Sequence, residues 1–380
     1  MRNFDEAPFL VIWELTQACD LACVHCRACA IENRSPFELS TEEGFRLLEE
    51  VRSFGDPLMV FTGGDPLKRP DLFPLLEKSV QLGLRTTVTP SATPLLTESA
   101  IERFQNCGVA RMAISLDGPD AESHDGFRRV TGSFDRTIRA LQYAQQIGLQ
   151  TQINTTVTRH NVGRLSEIAN LVKGAGAKLW SVFFLVATGR ASASQDLTAE
   201  EYEEVFAFLY NLSKSAPFDI KTTEAQHYRR FVAQRRKAEG GGKAGTRQVS
   251  PEIIQRQAGI NDGKGFVFVS HTGEIFPSGF LPLTAGNVRH DSLATVYRES
   301  PLFMTLRNAD NLRGKCGDCE YRNLCGGSRS RSYALTGDFL AEELRCVYEP
   351  KGPDSSPRIG AMKSLPIAGA APFVQLMRVL

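Results

Sequence analysis

Residues 9–29 read FLVIWELTQACDLACVHCRAC, and this stretch carries the strongest fold signal in the sequence. Its first part, residues 9–14, is a short apolar run of the kind that forms a buried β-strand. Three thiols follow at once with the spacing Cys-x3-Cys-x2-Cys, at Cys19, Cys23 and Cys26. In a barrel of parallel strands the active site lies at the carboxyl ends of the strands. We therefore expect these cysteines at the mouth of such a barrel.

The sequence that follows repeats the strand pattern and alternates it with helices. Short apolar runs and amphipathic segments succeed one another up to residue 195, as in repeated βα units. Six units predict the α/β class, either as a partial (β/α)6 TIM barrel or as a doubly wound sheet. Glycines that follow the last periodic residue indicate helix ends. The predicted strands are 9–14, 57–61, 85–90, 111–115, 150–156 and 178–184, the predicted helices are 41–53, 71–82, 97–106, 133–147 and 162–174, and the glycines are Gly83, Gly108, Gly148 and Gly174.

The bulk composition narrows the class of protein. The chain has 380 residues, more than one hydrophobic core usually serves, so two domains or one domain with an appendage are expected. Lys plus Arg number 44 and Asp plus Glu 43, and the formal net charge of +1 argues against a nucleic-acid partner. No apolar run is long enough to cross a membrane and no signal peptide is visible, so a cytoplasmic protein is expected.

The nine cysteines are unevenly distributed, which indicates metal ligation and argues against a disulfide framework. Four lie within residues 19–29 and four within residues 316–346. Cys107 stands apart from both sets, and we expect it to be a small buried apolar residue.

Three thiolates at the first set suit an iron–sulfur cluster with one open position. Such clusters normally take four thiolates, so a set of three leaves one iron free for the amino and carboxylate groups of S-adenosylmethionine (SAM). Two alternatives stay open at this point. The thiols of Cys23, Cys26 and Cys29 have spacings that also suit zinc, and Cys29 would close a four-thiolate cluster of a plain electron carrier.

The motif Cys-x3-Cys-x-His-Cys at residues 19–26 resembles the signature of the radical SAM superfamily, and the βα units resemble the partial barrel of that family. The resemblance implies an enzyme in which the [4Fe–4S] cluster on Cys19, Cys23 and Cys26 cleaves SAM to a 5′-deoxyadenosyl radical. It also implies an electron donor such as flavodoxin or ferredoxin.

Further segments at the predicted strand ends are similar to the SAM-binding motifs of this family. The stretch from Gly63 to Pro66 resembles a Gly-Gly-Glu-Pro motif that binds the SAM amino group, with aspartate in place of glutamate. The later segments resemble those that contact the SAM carboxylate, ribose and adenine. The residues that the resemblance assigns to SAM are Gly63, Gly64, Asp65, Pro66, Ser115, Asp117, Arg128, Asn154, Val186 and Ala187.

The second cysteine set has the spacing Cys-x2-Cys-x5-Cys-x20-Cys, at Cys316, Cys319, Cys325 and Cys346. Four thiols close one cluster completely and would stabilise a segment that buries little apolar surface. Structural zinc is the alternative, since a four-cysteine site also suits that ion.

This set resembles the SPASM domain, a C-terminal extension of many radical SAM enzymes that in its full form holds two auxiliary clusters. Here Ser278 and Arg329 stand where that domain has ligands of one cluster, so one auxiliary cluster is expected. The resulting division of the chain is a radical SAM barrel (1–195), a helical and basic linker region (196–264), a SPASM-like domain (265–350) and an irregular tail (351–380).

The segment PSGFLPLTAGNV at residues 277–288 adds a likeness to the SPASM enzymes of tetrapyrrole metabolism. These enzymes remove or decarboxylate side chains of siroheme-derived and iron-coproporphyrin substrates. Such substrates are polyacids, and the segment around His227, Arg229 and Arg230 offers cations and a ligand for a substrate iron. A helix with a solvated basic face is the alternative for these residues.

A second class of function, the radical maturation of a ribosomal peptide, stays open. Enzymes of that class often carry a winged-helix peptide-binding domain before the barrel, and this chain begins its first predicted strand at residue 9. A separate binding protein would serve instead. A third interpretation, a two-cluster electron carrier, makes no use of Gly63 and Gly64.

Overall fold

One ten-stranded sheet organises the computed structural model, which describes residues 3–240 and 259–351. The strand order is β10-β9-β8-β1-β2-β3-β4-β5-β6-β7, and every pairing from β8 through to β7 is parallel. Only the last two strands run antiparallel to their neighbours. The strands are β1 Leu10–Glu14, β2 Leu58–Thr62, β3 Arg85–Val88, β4 Arg111–Ser115, β5 Thr151–Val157, β6 Leu179–Phe184, β7 Asp219–Thr223, β8 Phe266–Val269, β9 Glu274–Phe276 and β10 Gly286–Asn287.

Helices connect the parallel strands and cover the sheet. The first begins where the Ser40 hydroxyl accepts from the Glu43 amide while the Glu43 carboxylate accepts from the Ser40 amide, a reciprocal cap. The helices are α1 Thr41–Ser53, α2 Leu72–Gln81, α3 Glu98–Asn106, α4 Ala121–Arg128, α5 Ser133–Gln146, α6 Leu165–Gly174, α7 Ala199–Ser213, α8 Tyr228–Ala238, α9 Leu293–Glu299, α10 Pro301–Arg307, α11 Gly314–Asp318 and α12 Arg329–Thr336.

The partial barrel predicted from the sequence is confirmed, and the structure extends it. The six predicted strands pair in parallel in their sequence order, whereas a doubly wound sheet reverses its strand order at a switch point. A seventh parallel strand, β7, was not predicted, because every one of its residues is only half-buried and DIKTT lacks an apolar run. Helix α4 was also missed, and Gly176 rather than Gly174 has the positive φ that ends α6.

The third predicted segment begins with a hairpin that joins the barrel sheet. Strand β8 pairs in parallel with β1, so Phe266 lies opposite Leu10, and β9 turns back on β8. Beyond the hairpin, a small second core of Leu281, Leu306, Phe339 and Leu340 supports the loops. The four-part division of the chain stays a prediction. Residues 241–258 of the predicted linker region and nearly all of the predicted tail, 352–380, lie outside the described residues.

The main core lies between the sheet and its helices, where Trp13 and Trp180 are fully buried. The Trp180 indole N–H donates to the Thr155 hydroxyl at 2.9 Å, so this buried donor is satisfied. Because the strands run parallel, their carboxyl ends lie together at one end of the partial barrel, which forms its mouth. Within the described ranges no helix is both long and apolar enough to cross a membrane.

Candidate active site

A cavity occupies the mouth of the barrel, and the first cysteine set forms one wall of it. Cys19, Cys23 and Cys26 line the cavity from the loop after β1. The ends of β2 to β6 line the other sides with small and polar residues, among them Gly63, Gly64, Ser91, Ser115, Asn154 and Val186. The topology therefore places residues that are far apart in sequence around the three thiols.

Two of the three sulfurs accept hydrogen bonds from backbone amides of the cysteine loop itself. The Leu21 amide donates to the Cys19 sulfur at 3.4 Å, and the Ala30 amide donates to the Cys26 sulfur at 3.4 Å. Burial raises the pKa of the Cys19 thiol to about 11. A buried thiol of this kind ionises readily only beside a positive charge such as a metal, which fits iron ligation.

Cys29 is turned away from this cavity. Its backbone adopts a left-handed conformation, with φ of 48°, and its amide donates to the Cys26 carbonyl at 3.3 Å. The described lining of the cavity includes Cys26, Ala28 and Ala30 but not Cys29. This placement argues against a closed cluster of four thiolates at the barrel mouth.

The glycine pair after β2 packs against the cysteine loop. A side chain at Gly63 would meet the Thr16 carbonyl at 2.6 Å, and one at Gly64 would meet the Ala18 carbonyl at 2.5 Å. The Gly64 amide donates to the Thr16 carbonyl at 2.7 Å. The absence of a Cβ at both positions thus lets the two backbones approach, in addition to exposing backbone groups to the cavity.

A third segment supports the cysteine loop from the end of β6. Gly189 has a φ of +62°, and a Cβ there would lie 2.4 Å from the carbonyl oxygens of Cys26 and Arg27. The Arg190 amide donates to the Cys26 carbonyl at 3.0 Å, and its guanidinium donates to the Cys23 carbonyl at 3.0 Å. The loop is therefore fixed by backbone contacts on both sides before any cluster binds.

Arg128 connects the cysteine loop to a buried acid. Its guanidinium donates to the Cys23 sulfur at 3.5 Å and makes an ion pair with Asp117. Burial alone would raise the pKa of Asp117, but the Arg128 guanidinium more than offsets this and holds that pKa below its usual value. The Asp117 amide also donates to the His124 Nδ1 at 3.1 Å, which orients that ring.

The cavity contains polar atoms that fit a polar ligand. The His25 Nδ1, the Arg128 Nε and the Thr137 hydroxyl are buried and have no hydrogen-bond partner within residues 3–240 and 259–351. All three side chains line the cavity. Buried polar groups are normally paired, so a ligand with several polar groups, as SAM has, fits this site.

The structure brings six of the ten residues predicted to bind SAM into the cavity lining: Gly63, Gly64, Ser115, Arg128, Asn154 and Val186. The other four, Asp65, Pro66, Asp117 and Ala187, are not part of that lining. The Asp65 carboxylate accepts from the Thr93 hydroxyl at 2.7 Å and from the Ser91 amide at 3.3 Å, so it positions neighbours. Direct SAM contact by all ten residues stays a prediction.

Sequence reasoning missed several lining residues. The Ser91 hydroxyl donates to the Gly64 carbonyl at 2.7 Å and lies 3.5 Å from the Cys19 sulfur. Its position just after β3 was a usable signal, because site residues cluster at strand ends. Phe183 and Phe280 form an apolar side of the cavity, with ring centroids 6.5 Å apart. Nothing in the local sequence distinguishes them from core aromatic residues.

The second cysteine set lines a separate, smaller cavity that also includes His227 and Arg230. Each sulfur has an N–H donor nearby. The donors are the Glu343 amide to Cys316 at 3.3 Å, the Tyr321 amide to Cys319 at 3.4 Å, the Gly327 amide to Cys325 at 3.4 Å and the Arg230 guanidinium to Cys346 at 3.7 Å. Burial raises the pKa of the Cys325 thiol to about 12, which again suits metal-bound thiolates.

Among the described residues, no three Cys, His, Asp or Glu side chains converge closely enough to hold a single metal ion. Zinc draws its thiolates to about 2.3 Å from one point. The arrangement therefore does not favour the zinc alternative at either cysteine set. A cluster of several iron atoms has no single point of convergence and is compatible with more widely spaced sulfurs.

Ser278 and Arg329, which stand where the SPASM domain has cluster ligands, are both buried among polar groups. The Ser330 hydroxyl donates to the Asp262 carboxylate at 2.9 Å and lies 3.4 Å from the Ser278 hydroxyl. Arg329 is 1% exposed and donates to the carbonyls of Phe339 and Ala341 at 3.0 and 2.7 Å. The Ser330 hydroxyl and the Arg329 guanidinium are therefore each hydrogen-bonded within the protein.

The predicted cationic substrate site is wrong in its location. His227, Arg229 and Arg230 do not line the cavity at the barrel mouth. Arg229 donates to the Ile260 carbonyl at 2.6 Å, Arg230 pairs with Glu203, and His227 is fully buried beside the second cysteine set.

Cys107 also differs from expectation, since it is only partly buried and its thiol donates to Glu77 at 3.6 Å.

A triad of thiols at the mouth of a partial barrel, surrounded by glycines and polar strand ends, is the site of enzymes that generate radicals from SAM. The sequence model of the Radical SAM superfamily matches residues 13–172 of this chain. The fold agrees, since SuiB of Streptococcus suis, solved in complex with its precursor peptide SuiA, superposes with a TM-score of 0.70. That likeness covers 90% of this chain and 76% of SuiB at 19% identity.

Two curated relatives are much more similar in sequence. The AdoMet-dependent heme synthase of Oleidesulfovibrio alaskensis is 42% identical over 347 residues, covering 90% of this chain and 88% of that protein. The protein of the same name from Methanosarcina barkeri is 39% identical and covers 92% of this chain and 99% of its own length. The chain belongs to this family of the radical SAM superfamily. It is an enzyme whose cofactors are a [4Fe–4S] cluster and SAM.

Proposed function

We propose that this enzyme decarboxylates propionate side chains of an iron-coproporphyrin and so forms heme. The observation that carries the proposal is the meeting of Cys19, Cys23 and Cys26 with the polar strand ends in one cavity. The high similarity to AdoMet-dependent heme synthases along nearly the whole chain supports the tetrapyrrole as substrate.

The chain's own residues prepare the site in three ways. Cys19, Cys23 and Cys26 would hold the cluster, and the backbone contacts of Gly64 and Gly189 keep their loop in place. Once bound, the cluster and SAM supply a 5′-deoxyadenosyl radical that abstracts hydrogen from the substrate, and a ferredoxin or flavodoxin would supply the electron. The other residues exclude water and orient the two ligands.

The overall reaction requires an electron acceptor. A propionate that loses one hydrogen atom to the radical, then carbon dioxide and one electron, is left as a vinyl group. Cys316, Cys319, Cys325 and Cys346 would hold an auxiliary [4Fe–4S] cluster that accepts this electron. One auxiliary cluster suffices for this electron, and the absence of cysteines at Ser278 and Arg329, both buried, supports the expectation of a single one.

Phe183 and Phe280 would form the substrate side of the cavity. Their half-buried rings suit the flat face of a macrocycle, and Arg27 lines the same cavity with its guanidinium 4.5 Å above the Phe268 ring. Arg27 also pairs with the buried Glu14 at 2.8 Å, so it is held in place when a substrate carboxylate approaches.

The test is an assay of the reconstituted protein with dithionite, SAM and iron-coproporphyrin III. We expect 5′-deoxyadenosine, a shift of the Soret band on binding, and a porphyrin lighter by one carbon dioxide and two hydrogen atoms per propionate. A Phe280→Ala variant should weaken porphyrin binding, whereas Phe37→Ala, at a ring that is 71% exposed, should not. An unmoved Soret band and an unchanged porphyrin mass, with 5′-deoxyadenosine still formed, would contradict the substrate and favour a peptide.

A further inference from the structure

His227 is a buried histidine that the proposed reaction does not use. It lies directly before α8 and is fully shielded from solvent. Aromatic rings hold it on two sides, since the Tyr202 ring stacks at a centroid distance of 5.3 Å and the Phe206 ring meets it edge-on at 4.8 Å. The orientation of the imidazole is therefore fixed by packing.

Both ring nitrogens of His227 lack a hydrogen-bond partner in the part of the chain that the structure describes. The Arg345 backbone lies close to the ring but outside the distance and angle of a hydrogen bond. An aromatic residue would fill this space without burying two polar atoms. Buried polar groups in folded proteins almost always have a partner, so we expect one in the loaded enzyme.

The cavity that His227 lines points to that partner. The same cavity is lined by Cys316, Cys319, Cys325 and Cys346. Its other charged lining residues are the cations Arg230, Lys315 and Arg322 and one carboxylate, Glu343, which is paired with Arg331 at 3.0 Å. Arg329 also reaches to 4.0 Å from the Cys316 sulfur. A site in which each sulfur has an N–H donor and cations outnumber carboxylates stabilises a cluster that carries negative charge.

We infer that His227 donates a hydrogen bond to a sulfur of the auxiliary cluster and raises the reduction potential of that cluster. This inference rests on the auxiliary cluster of the proposed function. A hydrogen bond to a cluster sulfur favours the reduced state, because reduction adds negative charge to the acceptor. A higher potential makes the auxiliary cluster a better acceptor for the substrate electron. His227 is thus a positioning residue that acts through the cluster.

The experiment isolates the auxiliary cluster in a variant that lacks Cys19, Cys23 and Cys26. In this background His227→Phe keeps a ring but removes the donor, and His227→Gln keeps an N–H. The midpoint potential is measured by redox titration monitored by electron paramagnetic resonance. For His227→Phe we expect the equilibrium constant for reduction to fall about tenfold, which is about 59 mV for one electron. His227→Gln should restore most of this loss.

Tyr202→Phe is the matched control, because it keeps the ring that stacks on His227 and removes a hydroxyl that donates to Asp196 instead of facing the cavity. It should leave the potential unchanged. An unshifted potential in His227→Phe would overturn the inference.

If His227→Phe fails to retain iron, spin-echo spectra of the parent with 15N-labelled histidine decide the question. A nitrogen coupling that His227→Gln abolishes supports the inference, and no histidine coupling overturns it. A parent variant that holds no iron at all would instead contradict the auxiliary cluster of the proposed function.

Discussion

The two cysteine sites of this protein differ in the number of thiols they bring together and in what surrounds the sulfurs. At the barrel mouth three thiols face a wide cavity lined by strand ends, and Cys29 is turned aside. At the second site four thiols line a smaller cavity, and each sulfur has an N–H donor within 3.7 Å. The first arrangement leaves room for a ligand on a cluster, whereas the second would enclose the auxiliary cluster that we propose as an electron acceptor.

The two sites are connected by a buried ion pair. Arg331 pairs with Glu343 at 3.0 Å, and both side chains are 1% exposed. The same guanidinium donates to the Leu185 carbonyl at the end of β6, while the Glu343 amide donates to the Cys316 sulfur. Since Leu185 also lines the cavity at the barrel mouth, Arg331 fixes the second site against the first.

Removal of a thiol from the open site should have the largest effect. Cys23→Ala leaves two thiolates for the cluster and also deprives Arg128 of a neighbour at 3.5 Å. We expect 5′-deoxyadenosine formation to fall by at least about a thousandfold, because SAM cleavage depends on this cluster. Single-turnover assays with dithionite measure it. Cleavage near the wild-type rate would place the catalytic cluster elsewhere.

Removal of a thiol from the second cysteine site should separate SAM cleavage from formation of the decarboxylated product. Cys346→Ala should abolish the auxiliary cluster and the decarboxylated product, while 5′-deoxyadenosine is still formed. The reason is that we place SAM cleavage at the barrel mouth, whereas completion of the proposed reaction needs an electron acceptor. Parallel quantification of nucleoside and porphyrin measures the ratio. Equal loss of both would show that the closed site also serves SAM cleavage.

The ion pair between the sites should contribute strongly to stability. Arg331→Met leaves the Glu343 carboxylate buried without its partner, and we expect a loss of about 3–5 kcal/mol in the free energy of unfolding. Arg164→Met, at an exposed ion pair with Glu167, is the control and should cost at most about 1 kcal/mol. Denaturant unfolding of both variants, compared at equal iron content, measures the difference. Equal losses in the free energy of unfolding would show that the buried ion pair contributes no more to stability than the exposed one.

Substitution of the cysteine that is turned aside should have the smallest effect. Cys29→Ala removes a thiol that lies outside the described lining of the cavity, so the iron content and the rate of SAM cleavage should stay within about twofold of wild type. The same assays and an iron determination measure this. A loss of the cluster in this variant would support the four-thiolate alternative.

The sequence predicted the barrel and the cysteine sets well, because both are local signals. The spacing of Cys19, Cys23 and Cys26 and the alternation of apolar runs need no tertiary information. Strand β7 was missed because DIKTT becomes a strand only through its pairing with β6. Such tertiary context overrides local preference in short, half-buried strands.

The candidate site was predicted less completely, because contacts across the fold decide it. Gly63 and Gly64 were assigned to SAM, yet a Cβ at either position would also collide with the backbone of the cysteine loop. His227 was expected at the substrate, but a long-range contact places it at the second cysteine set. Neither fact can be derived from spacing along the chain.

The most direct test of the claim that the two cysteine sites have different roles uses the variant that lacks Cys19, Cys23 and Cys26. It consists of an iron count and a SAM titration. We expect about four irons per chain, and a reduced-state resonance that does not change when SAM is added. The wild type should hold about eight irons and show a resonance that shifts with SAM. About eight irons in the variant, or a remaining cluster whose spectrum responds to SAM, would contradict the division of roles.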